Sequence, residues 1–390
     1  MPRTIQFEGR QVWAEISLRA ILHNLKVIRR TVGNDKKILA IVKANAYGLG
    51  AVPISKALAK AGVEWLGVTC SDEGAELRAV GIRKRILVLT GFWPGEEEVL
   101  LRENLTPTIT NTDQLHLLDR AAAQVARRKK SFRAPFHLKI NTGMNRQGIE
   151  PGEAEAFARE LKKCKHVILE GTYTHFASAE DFISQQTALQ EMRFFGAIEK
   201  LKGAGFSPGI IHLANSGAIC ARPSSWGGLV RPGAVLYGYH QGFEPASKKA
   251  EVMARMDLQP CLSLRARIIA VRDLAVGDAV GYGARFVAQR PSRIAVLPAG
   301  YADGIVRALT NKGIALVHAK RVPLVGVISM DLATVNTTDV PEAKVGDVVT
   351  IFGKDGEDSI VVSDVARSIG TVTSDLMCSL GHRVKRFYLS

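Results

Sequence analysis

The sequence lacks the long apolar run of a membrane-spanning helix, and its N-terminus lacks the charged head and apolar stretch of a secretory signal. Its cysteines are dispersed and form no C-x-x-C pair; they are Cys70, Cys164, Cys220, Cys261 and Cys378. An odd, scattered set is typical of free thiols in a reducing compartment. Without paired cysteines or an H-E-x-x-H motif, a zinc site is not expected either. We therefore expect a cytoplasmic protein with no metal, no disulfide and no membrane partner.

Acidic residues are scarce relative to basic ones, with 37 against 52 and a formal net charge of +15. Such an excess is compatible with nucleic acid, a membrane surface or a small anionic ligand. The densest basic run, RRKK at residues 127–130, ends a polar helical segment, where basic side chains interact favourably with the helix macrodipole. Aromatic residues do not interleave with the basic ones, so we do not expect nucleic acid as a partner.

Eight short apolar runs dominate the first part of the 390-residue chain. The runs lie at residues 38–43, 65–69, 85–90, 105–110, 136–141, 167–175, 210–215 and 229–237. Helical patterns separate most of them, for example at 52–61, 112–126 and 183–204. Alternation of eight strands with helices predicts an α/β fold, a parallel (β/α)8 barrel of the TIM type.

The pattern changes near residues 244–251, EPASKKAE, a polar stretch with a proline that we interpret as a linker. Beyond it the helical periodicity largely disappears and strand-like runs take over. We predict a barrel domain over 14–248 and a mostly β domain over 249–390. The segment 11–16 alternates like a strand, so we expect the N-terminal stretch 1–13 to pack on the second domain.

The stretch ILAIVKANAYGLG, residues 38–50, is the most informative in the sequence. Its apolar run predicts a strand buried on both faces, and that strand ends in Lys43. A primary amine in this position either extends to solvent or has its positive charge suppressed by burial. An uncharged lysine is a good nucleophile toward a carbonyl group.

Other reactive side chains follow the later strands, at the end where such a barrel places its active site. These residues are Arg146, His175, Asn215, Ser216 and Arg231. Ser216, with Gly233 and Ala234, is suitably placed to bind a phosphate through a hydroxyl and backbone N–H groups.

Each of these residues has a plainer interpretation when it is taken alone. Lys43 can reach solvent, and His175 can be a core histidine with satisfied hydrogen bonds. Arg231 can form a structural ion pair, and Ser216 can cap a helix. Their shared position on one rim argues against four independent structural roles. A lysine nucleophile, a phosphate-binding turn and a fixed arginine together describe a site for pyridoxal 5′-phosphate.

Eight segments resemble the alanine racemase family, whose members are fold-type III pyridoxal phosphate enzymes. The segments are AIVKANAYGLG, KINTGMNRQG, THFASAE, HLANSGA, VRPGAVLYG, VGYGARF, PAGYADG and GVISMDL. They occur in the right order over nearly the whole chain, and the first resembles the family's cofactor-lysine signature. The resemblance implies an isomerase that interconverts L-alanine and D-alanine, supplying D-alanine for cell-wall peptidoglycan. It also implies a homodimer with shared active sites.

The resemblance implies residue roles as well. Lys43 would bind the cofactor covalently and act as one catalytic base, with Tyr282 as the base on the opposite face of the substrate Cα. The implied cofactor-binding residues are Lys43, Tyr47, His175, Ser216, Arg231, Gly233 and Ala234. The implied substrate-binding residues are Arg146, Met330 and Tyr301. His212 would support Arg231, and Lys139 matches a position that is carbamylated in some members.

Two bases are needed because racemisation removes a proton from one face of Cα and returns it to the other. Arginine has only hydrogen-bond donors, so the ring nitrogen that Arg231 would face should be an unprotonated acceptor. That arrangement weakens the cofactor as an electron sink and should limit side reactions such as transamination.

One departure from the family pattern leaves the substrate open. Ser374, in TVTSDLMC, stands where the family usually has a tyrosine that reaches the phosphate, so there is room for serine or larger amino acids. A serine or broad-specificity racemase is therefore the first alternative. A fold-type III decarboxylase usually has an acidic residue where this chain has Arg231. A non-enzymatic pyridoxal phosphate carrier would be a single barrel, without a second domain that contains Tyr282.

Overall fold

The computed structural model describes residues 7–240 and 242–390 of the chain. The first domain is a barrel of eight parallel strands that follows the eight apolar runs. After an N-terminal strand, β1 (Val12–Ser17), the barrel strands are β2 (Lys37–Ile41), β3 (Trp65–Val68), β4 (Arg85–Val88), β5 (Thr106–Ile109), β6 (Ala134–Lys139), β7 (Val167–Tyr173), β8 (Ile210–His212) and β9 (Leu229–Val230). The predicted (β/α)8 barrel is confirmed.

The barrel strands pair in the order β8-β7-β6-β5-β4-β3-β2-β9. Backbone hydrogen bonds also join the segments of the two end strands. The N–H of Gly228 donates to the carbonyl of Ile211 at 2.8 Å, and that of Arg231 donates to the carbonyl of Ala214 at 3.0 Å. These bonds close the barrel by joining β9 to β8, while β9 also pairs with β2 in parallel.

Alternation along β2 determines which of its side chains enter the barrel. Leu39 and Ile41 belong to a small apolar cluster inside the barrel, whereas Ile38 and Ala40 belong to the main core shared with the helices. Lys43 continues the inward series of positions 39 and 41 beyond the end of the strand. The pleat of β2 therefore directs Lys43 toward the barrel axis.

The inward positions of β6 to β9 differ in character from those of β2. His137 and Lys139 of β6, Tyr173 of β7 and His212 of β8 are buried, as is Arg231 just after β9. One side of the barrel interior is therefore apolar and the other is polar. Since barrel interiors are usually filled by branched apolar side chains, this polar half is unusual and lies directly below the predicted site.

Helices cover the outside of the barrel. They are Leu18–Val32, Ala51–Lys60, Ser71–Ala79, Glu97–Arg102, Thr112–Arg128, Ala154–Lys163, Gln186–Gly203 and Ser216–Ala221. Ser17 Oγ accepts a hydrogen bond from the N–H of Ala20 at 3.1 Å and so caps the N-terminus of the first helix. Within the described residues, no helix is both long enough and apolar enough to cross a membrane.

The second domain is mostly β, as predicted. Its strands are β10 (Leu262–Arg267), β11 (Ala270–Leu274), β12 (Ala279–Val280), β13 (Phe286–Val287), β14 (Ser292–Leu297), β15 (Ile314–Val317), β16 (Lys320–Pro323), β17 (Ala333–Asn336), β18 (Val348–Asp355), β19 (Asp358–Ile360) and β20 (Lys385–Leu389). The main sheet has the order β16-β15-β18-β10-β1-β20, with β19 beside β18. Smaller sheets are β11-β14-β17 and the hairpin β12-β13.

The N-terminal strand β1 lies inside the main sheet of the second domain. It is antiparallel to β10 and parallel to β20. The strand covers Val12–Ser17, whereas residues 1–6 of the expected N-terminal stretch lie outside the described residues. The chain therefore enters the barrel from the second domain, which ties the two domains together at the first helix.

A helix, Ser247–Arg255, occupies much of the stretch predicted to be a linker. Glu251 pairs with Lys248 at 3.0 Å and with Arg255 at 2.9 Å. Such pairs, three and four residues apart, stabilise a polar helix in which apolar periodicity is weak. The division that the sequence suggests between residues 248 and 249 falls inside this helix. Two further short helices, Val362–Ser368 and Thr373–Cys378, interrupt the β pattern of the second domain.

Candidate active site

A cavity of about 760 Å³ opens at the carboxyl ends of the barrel strands. It brings together the predicted residues Lys43, Tyr47, Arg146, His175, Ser216, Arg231, Gly233 and Ala234. Lys139 and Ser374 also line it. A cavity of this size and mixed lining suits a small-molecule ligand.

Lys43 stands immediately before a left-handed turn. The four residues after it, Ala44, Asn45, Ala46 and Tyr47, have φ angles of 52°, 53°, 52° and 58°. None of them is glycine, and a left-handed conformation costs such residues roughly 1–2 kcal/mol each. Backbone strain of this kind persists only where the surrounding structure holds it, and it is concentrated at functional sites.

Glu73 is the main side chain that holds this turn. Its two carboxylate oxygens accept hydrogen bonds from the N–H groups of Ala44 and Thr69, each at 2.6 Å. Asn45 Oδ1 accepts from the N–H of Ala51 at 2.7 Å at the far end of the turn. The orientation of Lys43 therefore depends on Glu73 from the helix Ser71–Ala79 and on Asn45 within the turn itself.

Burial lowers the pKa of the Lys43 amine below its usual range, and the positive charge of Arg146 lowers it further. The carboxylate of Glu73 acts in the opposite direction. A lowered pKa increases the fraction of the uncharged amine, which is the form that attacks carbonyl groups and accepts protons.

Two hydroxyl groups and a backbone N–H converge beside Gly233. The N–H of Gly233 donates to Ser216 Oγ at 3.0 Å. A Cβ atom at Gly233 would lie 2.4 Å from Tyr47 Oη, so only glycine permits this approach. Burial raises the pKa of Tyr47 to about 12, so its hydroxyl stays protonated and can donate. These groups fit the phosphate of pyridoxal 5′-phosphate.

Arg231 is 3% exposed, and its guanidinium is fixed by five acceptors. It donates to the carbonyl oxygens of Thr174, His212 and Leu213 at 2.8, 2.8 and 3.0 Å. It also lies 3.2 Å from Nδ1 of His212 and 3.3 Å from Nδ1 of His175. Burial lowers the pKa of Arg231 to about 10, so the group remains a cation near neutral pH. A fixed cationic donor fits an unprotonated pyridine nitrogen.

The contact with Arg231 also orients the ring of His175. Since guanidinium has only donors, Nδ1 of His175 must accept, and a neutral imidazole then has its proton on Nε2. Burial and the charge of Arg231 lower the pKa of His175 well below its usual range. His175 is therefore a neutral ring in the cavity wall, suitable for contact with a flat aromatic ligand.

Lys139 lies in the cavity wall near Arg146 and is 6% exposed. Burial and the charge of Arg146 lower its pKa to about 8. Its Nζ is 3.5 Å from Oε1 of Gln147, whose Nε2 donates to the carbonyl of Thr90 at 2.8 Å. A partly uncharged amine is the form that can be carbamylated, and carbamylation of Lys139 stays a prediction.

Several residues that shape the site were not predicted from the sequence. Glu73 lies in the helix after β3 and Gln147 in the loop after β6, and nothing in their spacing along the sequence distinguishes them from other polar residues. Tyr173 lies on the inner face of β7, two positions before His175, so strand alternation identifies it. Glu180 lines the cavity near Gly217, and burial raises the pKa of its carboxyl group.

Tyr282, Met330 and Tyr301 are not among the described residues that line this cavity. They lie on loops of the second domain and are 74%, 53% and 40% exposed. The N–H of Tyr301 donates to the carbonyl of Ser329, next to Met330, at 3.0 Å, which holds these two loops together. A single chain therefore does not bring Tyr282 and Lys43 into one site.

Comparison with known proteins identifies the relatives of this chain. Residues 16–241 match the model of the alanine racemase N-terminal domain, and residues 261–388 match that of the C-terminal domain. The chain belongs to the alanine racemase family. The resemblance found in the sequence is thereby confirmed, and the chain is classed among the isomerases.

Alanine racemase relatives match over nearly their whole length. The alanine racemase of Geobacter sp. strain M21 is 36% identical, over 98% of this chain and 100% of the relative. That of Methanococcus maripaludis is 37% identical, over 97% and 98%. The alanine racemase structure from Clostridium difficile 630 has a TM-score of 0.88 at 32% identity, covering 98% of this chain and 97% of that one.

One solved relative shows a ligand of this family. The Bacillus anthracis alanine racemase with bound L-Ala-P has a TM-score of 0.88 at 30% identity and covers 99% of this chain and 96% of that one. Alanine racemases depend on pyridoxal phosphate. The cavity of this chain fits that cofactor at three points, namely the hydroxyl groups beside Gly233, the fixed Arg231 and the amine of Lys43.

Proposed function

We propose that this chain interconverts L-alanine and D-alanine with pyridoxal 5′-phosphate bound through Lys43. The observation that supports it most strongly is the position of Lys43, a half-buried lysine that lines the same cavity as the Gly233 turn and Arg231. The cavity, in a member of the alanine racemase family, supplies a nucleophile, an anion site and a cationic donor.

When bound, pyridoxal phosphate supplies the electron sink that makes the Cα proton acidic. We propose that Lys43 Nζ and Tyr282 Oη hold and release protons on opposite faces of Cα. Tyr47, Ser216 and the backbone of Gly233 and Ala234 would bind the phosphate. His175 would lie against the cofactor ring.

We further propose that Arg146 binds the substrate carboxylate, because it lines the cavity close enough to lower the pKa of Lys43. The backbone of Met330 would complete this carboxylate site, and Tyr301 would line the entrance. Arg231 would donate to the ring nitrogen and keep it unprotonated. That would limit side reactions such as transamination.

We propose a homodimer in which Lys43 works with Tyr282 of the partner subunit. Two facts support it: Tyr282 is exposed within its own chain, and none of the described residues that line the barrel cavity is a base from the loops of the second domain. A two-fold arrangement would cover both cavities with one type of contact and exclude water from both.

The functional units proposed here are a cofactor-binding barrel over 14–248 and a β domain over 249–390. Free cysteines support a reducing location, and all five are unpaired in the structure. We propose a cytoplasmic enzyme that supplies D-alanine for cell-wall peptidoglycan. Growth of a D-alanine auxotroph that expresses this chain tests that role.

A second candidate is a racemase of serine or of broader specificity. Helix Thr373–Cys378 brings Ser374 into the cavity, where the family usually has a tyrosine. The short hydroxymethyl group leaves space that a larger substrate side chain can occupy.

The experiment that tests the proposed function combines labelling with a chiral assay. Borohydride reduction of the purified protein followed by peptide mapping should place the pyridoxyl label on Lys43, which follows β2, and not on Lys139, the other lysine among the described residues that line the cavity. A panel of L-amino acids with chiral product detection should give D-alanine. A label on another lysine, or no D-alanine, would reject the proposal.

A further inference from the structure

A line of polar side chains runs down the polar half of the barrel from Arg231, away from the cavity. Nδ1 of His212 is 3.2 Å from Nη1 of Arg231, and its Nε2 is 2.8 Å from Nδ1 of His137. Both histidines are fully buried. Below them, Glu170 faces His137 and forms an ion pair with Arg85.

The donor properties of arginine give this line one direction. Arg231 can only donate, so Nδ1 of His212 must accept and its proton must lie on Nε2. That N–H then donates to Nδ1 of His137, whose own proton must lie on Nε2. Protonation of both nitrogens of His137 would place two hydrogens between the imidazoles, and protonation of both nitrogens of His212 would place its Nδ1–H against the Arg231 guanidinium.

Electrostatics favour the same neutral rings. Burial lowers the pKa of both His212 and His137, and the positive charge of Arg231 adds to the effect. The carboxylate of Glu170 acts in the opposite direction on His137. The charged groups that act on the two histidines are thus Arg231 at the cavity end of the line and Glu170 with Arg85 at the opposite end.

The lower end of the line contains two buried atoms that lack other partners. Nε2 of His137 and Oε2 of Glu170 are both buried without a hydrogen bond, and they face each other at 3.8 Å. A proton on Nε2 of His137 is the one arrangement that serves both atoms, because a carboxylate can only accept. The tautomer imposed from Arg231 is therefore also the one that Glu170 requires.

The surrounding backbone has space for the His137 ring only because residue 171 is glycine. His137 pairs with Gly171 across β6 and β7, and a Cβ atom there would lie 2.7–2.9 Å from three ring atoms. Tyr173 stacks on the His212 ring with centroids 4.6 Å apart and planes 14° from parallel. Neither ring can turn without displacing a neighbour.

We infer that His137 and Glu170 are positioning residues that orient Arg231: His137 does so through the hydrogen-bond line His137–His212–Arg231, and the carboxylate of Glu170 does so through its 3.8 Å contact with Nε2 of His137. The line holds the His212 acceptor in the one tautomer that can receive a guanidinium hydrogen. Nη1 and Nη2 of Arg231 are then engaged, and its Nε–H is the donor that remains for the cavity. The inference rests on the proposed function, in which that donor meets the ring nitrogen of the cofactor.

Nitrogen NMR tests the direction of the line without any assay of activity. The full-length protein labelled with ¹⁵N in its histidine rings is studied as a solid, and the spectra of His137→Asn and His212→Asn assign the ring signals of His137 and His212. We expect both His137 and His212 to be neutral and protonated on Nε2 alone. A proton on Nδ1 of His212, or the signals of an imidazolium with both nitrogens of His137 protonated, would overturn the inference.

Two substitutions at residue 137 test the positioning role. Asparagine can still accept from Nε2–H of His212 through Oδ1, whereas leucine cannot. We expect His137→Leu to shift the absorbance maximum of the bound cofactor and to lower kcat roughly tenfold, with KM for alanine little changed. His137→Asn should retain most of the wild-type kcat and an absorbance maximum close to that of the wild type. Equal effects of the two variants would reject a directed role.

A glycine substitution covers the case in which His137→Leu fails to fold. Gly171→Ala removes no polar group but displaces the His137 ring, and it should reproduce the spectral shift. Gly196→Ala, where a Cβ atom meets nothing within 4 Å, is the control and should have no effect. An unshifted spectrum in Gly171→Ala would contradict the inference. If alanine is not racemised but the tautomers are as expected, the proposed function fails and the line stands.

Discussion

Glu73 accepts a hydrogen bond from the backbone N–H of Ala44 at 2.6 Å, directly after Lys43. The same carboxylate accepts from the N–H of Thr69, so one side chain joins the ends of β2 and β3. We predict that Glu73→Ala lowers the free energy of unfolding by about 1–3 kcal/mol, because the partly buried N–H of Thr69 and the exposed N–H of Ala44 lose their charged acceptor. Denaturant unfolding measures it. Glu76→Ala, on the exposed face of the same helix, is the control, and equal losses in both variants would contradict the role.

Arg231 serves as donor to three backbone carbonyls, so its charge matters for stability as well as for the cofactor contact proposed above. We predict that Arg231→Glu lowers the free energy of unfolding by about 3–5 kcal/mol, because it leaves a buried carboxylate facing those oxygens. Arg231→Met should cost less, since it introduces no charge. Thermal or denaturant unfolding of cofactor-free protein decides between them. A glutamate variant as stable as the methionine variant would contradict this picture.

The space beside Ser374 should set substrate range. We predict that Ser374→Tyr raises the ratio of kcat/KM for alanine over serine, because the ring fills part of the cavity and its hydroxyl adds a phosphate contact. Ser374→Ala is the matched control and should leave the ratio nearly unchanged. A ratio that falls or stays constant in the tyrosine variant would show that this position does not limit the substrate.

Lys139 gives the cofactor-free protein a distinctive pH dependence. Its pKa of about 8 lies below the 10.5 of an ordinary lysine, so between these values the folded state binds fewer protons than the unfolded state. The free energy of unfolding should therefore rise across this window, by on the order of 3 kcal/mol from this residue alone. The measurement is the difference between wild type and Lys139→Met in unfolding experiments from pH 7.5 to about 10.5. A difference that does not change with pH would show that the amine does not titrate, as expected if it is carbamylated.

The sequence predicted the barrel because its strands are buried on both faces and appear as continuous apolar runs. The rim residues were predictable for a related reason, since carboxyl ends of parallel strands meet at one edge. Lys43, Ser216 and Arg231 each follow such a run. The family resemblance added residues such as Tyr282 that no periodicity connects with the barrel.

Other features depend on contacts that the sequence does not display. The left-handed turn after Lys43 is made of non-glycine residues, so no composition signal marks it. The helix Ser247–Arg255 is stabilised by ion pairs within a polar stretch, and polar stretches are usually interpreted as linkers. His137 and Glu170 lie in apolar-looking strands, and their significance appears only when the barrel closes and brings β6, β7 and β8 together.

The central claim is that Lys43 of one subunit and Tyr282 of its partner complete one site. Lys43→Ala and Tyr282→Phe should each be nearly inactive. When the two variants are mixed and allowed to exchange subunits, about half of the dimers should be mixed, and each mixed dimer should contain one site with both lesions and one intact site. The account predicts recovery of roughly a quarter of the wild-type sites. Activity that stays at the level of the single variants, despite proven subunit exchange, would contradict it.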